Sequence, residues 1–211
     1  NRAGWVRVPR YALGIRPPLT WRGAYKIRFQ YRAPIFLDGA RLETEAFGAV
    51  EASGPPPDDL RSRHLWDATF PGWESPEAVN VKQPPYSAAG DGRTDDAAAI
   101  QRAVDEHEVV FLPKGQFAVS RTIRLRPDTK LLGAHRCYSR LMPLAAPRGD
   151  FADPDSPQPV VRTADDPAAE TVLCGFGIRA LRHSGAAYCL HWQAGRRSIF
   201  RDVNLVLPFW C

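Results

Sequence analysis

Between residues 80 and 112 the apolar positions change period once, and the change separates a helix from a strand. Ala97, Ile100 and Val104 recur at spacings of three and four, with Gln101, Arg102, Asp105 and Glu106 between them, which predicts an amphipathic helix over about Asp95 to Asp105. A Gly90-Asp91-Gly92 turn precedes it, where glycine accepts positive φ and Asp bonds its own backbone. Thr94 stands where a helix N-cap belongs, a role worth about 1 kcal/mol, and Asp95 and Asp96 place negative charge at the positive end of the helix dipole. After His107 the pattern turns extended. Val109 to Leu112 is a continuous apolar run ended by Pro113, which predicts a buried strand. Phe117, Val119, Ile123 and Leu125 then alternate with polar residues, Arg121, Arg124 and Arg126 among them, before Pro127-Asp128-Thr129 turns the chain into Lys130 to Gly133.

Further on, Thr171 to Ile178, Ala187 to Trp192 and Ser198 to Leu207 are apolar extended runs separated by Gly, Ser and Arg. No exact repeat links them, yet coils of a solenoid need only inward apolar side chains and a turn. Pro143 to Pro167, rich in Pro and Asp, reads as an excursion from the solenoid wall, of the kind that borders binding grooves. The strings VNVK, GDGRTDDAAAIQRAV, VVFLPKGQFAVSRTIRL and TKLLGA, in this order, resemble the start of the pectate-lyase-like superfamily of right-handed parallel β-helices. That superfamily includes glycoside hydrolase family 55 glucanases, polygalacturonase-like enzymes and phage tailspikes. The usual motif reads GDG, any residue, TDDT. Here Ala97 replaces the last Thr, at a helix position that carries no chemistry. The resemblance is specific over residues 79 to 134. It implies a mainly β fold, a right-handed parallel β-helix of the pectin-lyase type with an N-terminal capping helix lying across the first rung.

Residues 1 to 52 read as a separate β-rich segment. Ala24 to Tyr31 alternates, and Pro34 to Glu43 places Asp38-Gly39 between two apolar runs, a strong hairpin signal. Residues 53 to 78 form a linker whose Pro55-Pro56-Pro57 favours an extended path, and whose Trp66, Phe70 and Trp73 predict packing on a neighbour. Residues 79 to 211 are then the N-terminal part of the β-helix. Family 55 enzymes carry two β-helices in tandem, so by resemblance the first segment is either the tail of a first β-helix or an accessory domain. Asn1 opens the chain, Met142 is its lone methionine, and Leu205 to Cys211 ends it in apolar residues, so it reads as a fragment of a longer protein.

Charge redirects one inference. The net charge of +5 suggests nucleic acid until it is divided: residues 1 to 50 carry 9 Lys and Arg against 3 Asp and Glu, and the rest carry 19 against 20. The basic residues of the first segment are spaced singly among aromatics, without a nucleic-acid motif, so no nucleic-acid partner is expected. No stretch approaches the roughly 18 apolar residues of a membrane span, and no membrane partner is expected. An extracellular or cell-envelope location fits the resemblance. Oligomeric state is not set by the sequence.

Candidate chemistry is sparse. Asp91, Asp95 and Asp96 lack the spacing of a Ca²⁺ loop, and capping accounts for them. Cys137, Cys174, Cys189 and Cys211 show no CxxC, and His64, His107, His135, His183 and His191 show no ligand spacing, so no metal and no cofactor is expected. Buried thiols are expected; the alternative places Cys174 and Cys189 on adjacent rungs, close enough to pair in an exported protein. His191, Trp192, Arg201 and Asp202 lie on or near two successive predicted strands and form the candidate substrate-binding set: an aromatic face for a sugar ring and charged groups for its hydroxyls. The competing reading is an edge tryptophan and an Arg–Asp surface pair. The catalytic residues are not identifiable, and in β-helix enzymes the groove chemistry lies farther along the solenoid, so they are expected beyond Cys211 and this fragment alone is expected to be inactive. The resemblance implies an inverting glycoside hydrolase acting on a polysaccharide such as β-1,3-glucan. The alternatives are a polysaccharide lyase acting on a polyuronate and a non-catalytic, tailspike-like glycan-binding or structural β-helix.

Overall fold

The computed structural model describes residues 70–146, 148–180 and 186–206, together with Asp58, Asp59 and six strands within the first 51 residues. The chain divides into two compact units, Asn1–His64 and Leu65–Cys211. In the first unit, β1 (Val6–Ala12) pairs with β6 (Ala46–Glu51), β2 (Ile15–Arg16) with β3 (Gln30–Tyr31), and β4 (Ile35–Leu37) with β5 (Ala40–Leu42), each antiparallel. Leu37 lies opposite Ala40, which is the hairpin register expected of Pro34 to Glu43. The Asp38-Gly39 turn, most of Ala24 to Tyr31, Pro55-Pro56-Pro57, Trp66, His64, His183 and Cys211 lie outside the described residues.

The second unit is a parallel β-helix. Its strands are β7 (Val79–Asn80), β8 (Asp91–Asp95), β9 (Val109–Leu112), β10 (Gly115–Val119), β11 (Ile123–Arg124), β12 (Lys130–Gly133), β13 (Ser139–Pro143), β14 (Gln158–Arg162), β15 (Val172–Cys174), β16 (Gly177–Arg179), β17 (Ala187–His191), β18 (Ile199–Arg201) and β19 (Asn204–Val206). They build a first sheet ordered β7-β9-β12-β15-β18, a second ordered β8-β10-β13-β16-β19 and a third ordered β11-β14-β17. Every pairing in these sheets is parallel, because each strand bonds to its counterpart one coil later. Register stacks like upon like: Val110, Leu131 and Leu173 form one buried inward column, and Phe117, Leu141 and Ile178 another. Each such side chain contributes about 1.5 to 3 kcal/mol by leaving water.

Hydroxyls mark one corner in the same way. Thr129, Thr171 and Ser198 immediately precede β12, β15 and β18. Ser198 Oγ accepts from Thr171 N at 2.9 Å and donates to Ala169 O at 2.8 Å, while Arg126 N donates to Thr129 Oγ1 at 2.9 Å. Corner polar groups are thereby satisfied inside the wall.

In the first coil the helix α1 (Ala97–Glu106) stands where the third sheet would have a strand. Ala97, Ile100, Ala103 and Val104 are buried in the same core cluster as Val110 of β9, so the helix shields the first rung as the apolar stripe implies. The Gln101 side chain completes the closure. Its Nε2 donates to Arg124 O and its Oε1 accepts from Arg124 N, both at 2.9 Å, giving β11 the two bonds a preceding strand would have made.

Three expectations are corrected. Thr94 is not the N-cap: Asp91 accepts from Thr94 N at 2.8 Å and from Thr94 Oγ1 at 2.9 Å, which keeps the chain extended through Asp95, and the helix begins at Ala97 with Asp96 as its cap residue. The excursion from the wall is shorter than Pro143 to Pro167, covering residues 144–157, because the apolar Pro159-Val160-Val161 inside it is buried in β14. Cys174 and Cys189 lie on the same coil, in β15 and β17, and both are free thiols; Cys189 Sγ points into the core and donates to Ile178 O at 3.4 Å.

Candidate functional site

The outer face of the first sheet is covered by the segment that enters it. Val109, Leu132 and Val172 form a second apolar cluster with Phe70, Ala78 and Phe111, and Trp73 stacks on Phe111 with ring centroids 5.3 Å apart. Phe70 and Trp73 therefore pack on a neighbour, as expected of them. On the third sheet the register instead aligns Arg124, Arg162 and His191, one per coil, beside the buried Ile123–Val161 column. Neighbouring strands are about 4.8 Å apart, so these three basic groups form a row along the solenoid axis.

The sequence-predicted set does not converge. Arg201, at the end of β18, lays its guanidinium over the Phe70 ring at 4.1 Å on the first-sheet side. Asp202, at the next corner with φ of 56°, pairs with Arg136 at 2.7 Å. Trp192 packs edge-on against Phe200 at 5.3 Å and touches the core. His191 alone of the four sits in the third-sheet row.

Its surroundings have a local cause. Cys189 and Leu190 both pack on the core, so strand alternation breaks in β17 and Tyr188 comes to the same side as His191. Tyr188 Oη lies 3.2 Å from His191 Nδ1. Burial, reinforced by the charge of Arg162, holds His191 below the ordinary imidazole pKa, while Asp165 opposes the shift. Arg162 Nε is buried and finds no acceptor among the described residues. A donor so placed is costly unless something accepts from it. The arrangement thus sets a neutral imidazole and a phenol in contact beside the Arg162 guanidinium, whose Nε is turned into the wall.

Sequence reasoning missed Arg124, Arg162 and Tyr188. A signal was present: Ile123-Arg124, Val161-Arg162 and Leu190-His191 are apolar–basic pairs ending β11, β14 and β17. Each acidic residue near the entrance has a backbone task. Asp96 accepts from Ala89 N at 2.7 Å and Gly90 N at 2.9 Å, and Asp95 Oδ1 accepts from Ala97 N and Ser120 N. Among the described residues no group of three or more His, Cys, Asp or Glu is arranged to hold a metal, and no helix is long and apolar enough to cross a membrane.

Residues 78–151 match the family model described as "Rhamnogalacturonase A/epimerase, pectate lyase-like", which agrees with the parallel β-helix seen in this stretch. Pre-neck appendage proteins of Bacillus phages B103 and phi29 are 45% and 47% identical over 56 residues, 26% of this chain and 6% of theirs. The glucan 1,3-beta-glucosidase of Cochliobolus carbonum is 28% identical over 112 residues, 51% of this chain and 14% of its own length. The chain spans a small part of the length of these relatives.

Proposed function

We propose that this β-helix belongs to a polysaccharide-cleaving protein and holds its glycan along the outer face of the third sheet. The row of Arg124, Arg162 and His191 carries the reading, because it runs parallel to the solenoid axis at the pitch of successive strands and presents one polar head per coil to a linear ligand. The likeness to a glucan 1,3-beta-glucosidase supports glycoside hydrolysis, by inversion, of a glucan-type chain. Inversion requires two carboxyls about 6.5 to 9.5 Å apart, and Asp165 is one carboxylate beside this face.

A second reading, a polysaccharide lyase, is favoured by one observation. Arg124 and Arg162 put two cations side by side on this face, where a neutral glucan needs none. Incubation of the protein with laminarin-type glucan and with polygalacturonate separates the two, with reducing ends and the ultraviolet absorbance of unsaturated uronate followed together. Reducing sugar from the glucan supports hydrolysis. Absorbance from the polyuronate supports elimination, and silence on both with retained glycan binding leaves a binding module.

A further inference from the structure

We propose that residues 70–78 are a releasable strap, which lifts off the first sheet as one piece about a hinge at Ala78–Val79 and bares an apolar face while the solenoid stays folded. Register builds that face. Phe111, Leu132, Cys174 and Arg201 stand opposite one another on β9, β12, β15 and β18 and form one column on the outer side of the wall. Val109 and Val172 lie beside it, and together with Leu132 they are at most 4% exposed although they belong to a cluster separate from the core. An apolar run of this length on an outer face needs a cover. The strap supplies it and is pinned at both ends of the column. Trp73 stacks on Phe111, the first member, with ring planes 17° apart, and the guanidinium of Arg201, the last member, lies 4.1 Å from the centroid of the Phe70 ring.

The strap and the wall are held by different forces. From Val79 onward the chain is laddered to β9, with Val79 opposite Val110 and Val81 N donating to Phe111 O at 3.1 Å. Among the described residues, the backbone hydrogen bonds of residues 71–78 are Ser75 N donating to Gly72 O at 3.1 Å and Ala78 N donating to Ser75 O at 2.9 Å, both inside the segment. The strap therefore carries its turns with it when it lifts, and the sheet loses no hydrogen bond to it. Gly72, Trp73, Glu74, Pro76 and Glu77 are exposed, so among the described residues no further layer has to move first. A segment held by side-chain contacts alone opens below the free energy of global unfolding. Because both pins close on one column, loosening one end loosens the cover over the other.

Cys174 reports the motion. It is a free, half-buried thiol in the middle of the column, two strands or about 9.6 Å from Phe111. The test is alkylation of the full 211-residue chain by iodoacetamide, with the rates at Cys137, Cys174 and Cys189 resolved by peptide mass mapping. Burial holds the thiols of Cys174 and Cys189 above their ordinary pKa, so each is compared with itself across variants at one pH. Trp73→Ala is expected to speed Cys174 about tenfold, since the stack it removes acts on a thiol two strands away only through the strap. Cys137, at the corner before β13, and Cys189, in the core, are expected to keep their rates, with the far-ultraviolet circular dichroism unchanged. An unchanged Cys174 rate overturns the strap as a single piece. Equal acceleration of Cys174 and Cys189 shows the solenoid opening with it and overturns its independence. A second measurement uses the unaltered protein: the Cys174 rate is expected to rise with urea less steeply than the Cys189 rate, because lifting the strap exposes less surface than unfolding the core. Equal slopes overturn the proposal as well.

Discussion

The side-chain amide of Gln101 pairs with both backbone polar groups of Arg124, so a helix residue supplies what a neighbouring strand would have supplied. An unpaired first strand is an exposed edge, and edges recruit other chains. Gln101→Leu removes both bonds at once and is expected to cost about 1 to 2 kcal/mol, whereas Gln101→Glu keeps the acceptor for Arg124 N but sets a carboxylate oxygen against Arg124 O and Asp105 Oδ1, to both of which Gln101 Nε2 donates, and is expected to cost more. Urea melts of the two variants, read together with light scattering, check the order.

Asp91 and Asp96 respond to pH in opposite directions. Hydrogen bonds from the Thr94 N–H, the Arg93 N–H and the Thr94 hydroxyl hold Asp91 down at about 2, from an ordinary value of 3.8. Its folded value is depressed, so its contribution is fully present above 3.8 and is lost as pH falls toward about 2. Burial outweighs two N–H donors and raises Asp96, so its contribution diminishes as pH rises through its folded value. Asp91→Asn is therefore expected to flatten the acid limb of a melting-temperature profile, and Asp96→Asn to cost about 1 to 3 kcal/mol at pH 7, because an amide offers one acceptor where two are needed.

Gly133 and Gly175 stack backbone on backbone at one corner. A Cβ on Gly133 falls 2.5 Å from Gly175 O, and one on Gly175, where φ is 72°, falls 2.6 Å from Gly133 O. Neither carbonyl withdraws without moving a coil, so Gly133→Ala is expected to cost about 3 kcal/mol, at the upper end of overpacking. Gly92→Ala meets its first neighbour at 3.4 Å and suffers only its positive φ, costing about 1 kcal/mol. Thermal denaturation of both variants gives the comparison.

The entrance was the legible part of this fold, because Ala97, Ile100 and Val104 have one meaning at helical spacing and Val109 to Leu112 one meaning as a continuous run. The cap was not, since Thr94 fits both an N-cap and a turn partner of Asp91, and only the chain path decides. Later strands were visible as apolar runs but fused: Thr171 to Ile178 is two strands with a corner at Gly175-Phe176, and Ser198 to Leu207 contains two with a corner at Asp202-Val203. The third-sheet row stayed hidden because its members recur at unequal intervals. Its partner residues on the wall were equally scattered, since Arg201 and His191 come from neighbouring strands in sequence yet face different sides.

Those unequal intervals carry a consequence of their own. From Val109 to Lys130 a coil takes 21 residues, from Lys130 to Val172 it takes 42, and from Val172 to Ile199 it takes 27, while the first sheet keeps its register through all three steps. Chain length between rungs is thus decoupled from rung alignment, and the surplus in the longest coil emerges mainly at residues 144–157, where it is tied back by Asp150 N donating to Ser120 O and Thr122 N donating to Asp150 Oδ2. Beyond that clasp residues 152–157 are exposed, and they are expected to behave as an interchangeable cassette. Segments of other length or chemistry grafted there reshape the rim of the third-sheet face and leave the scaffold beneath indifferent to the exchange.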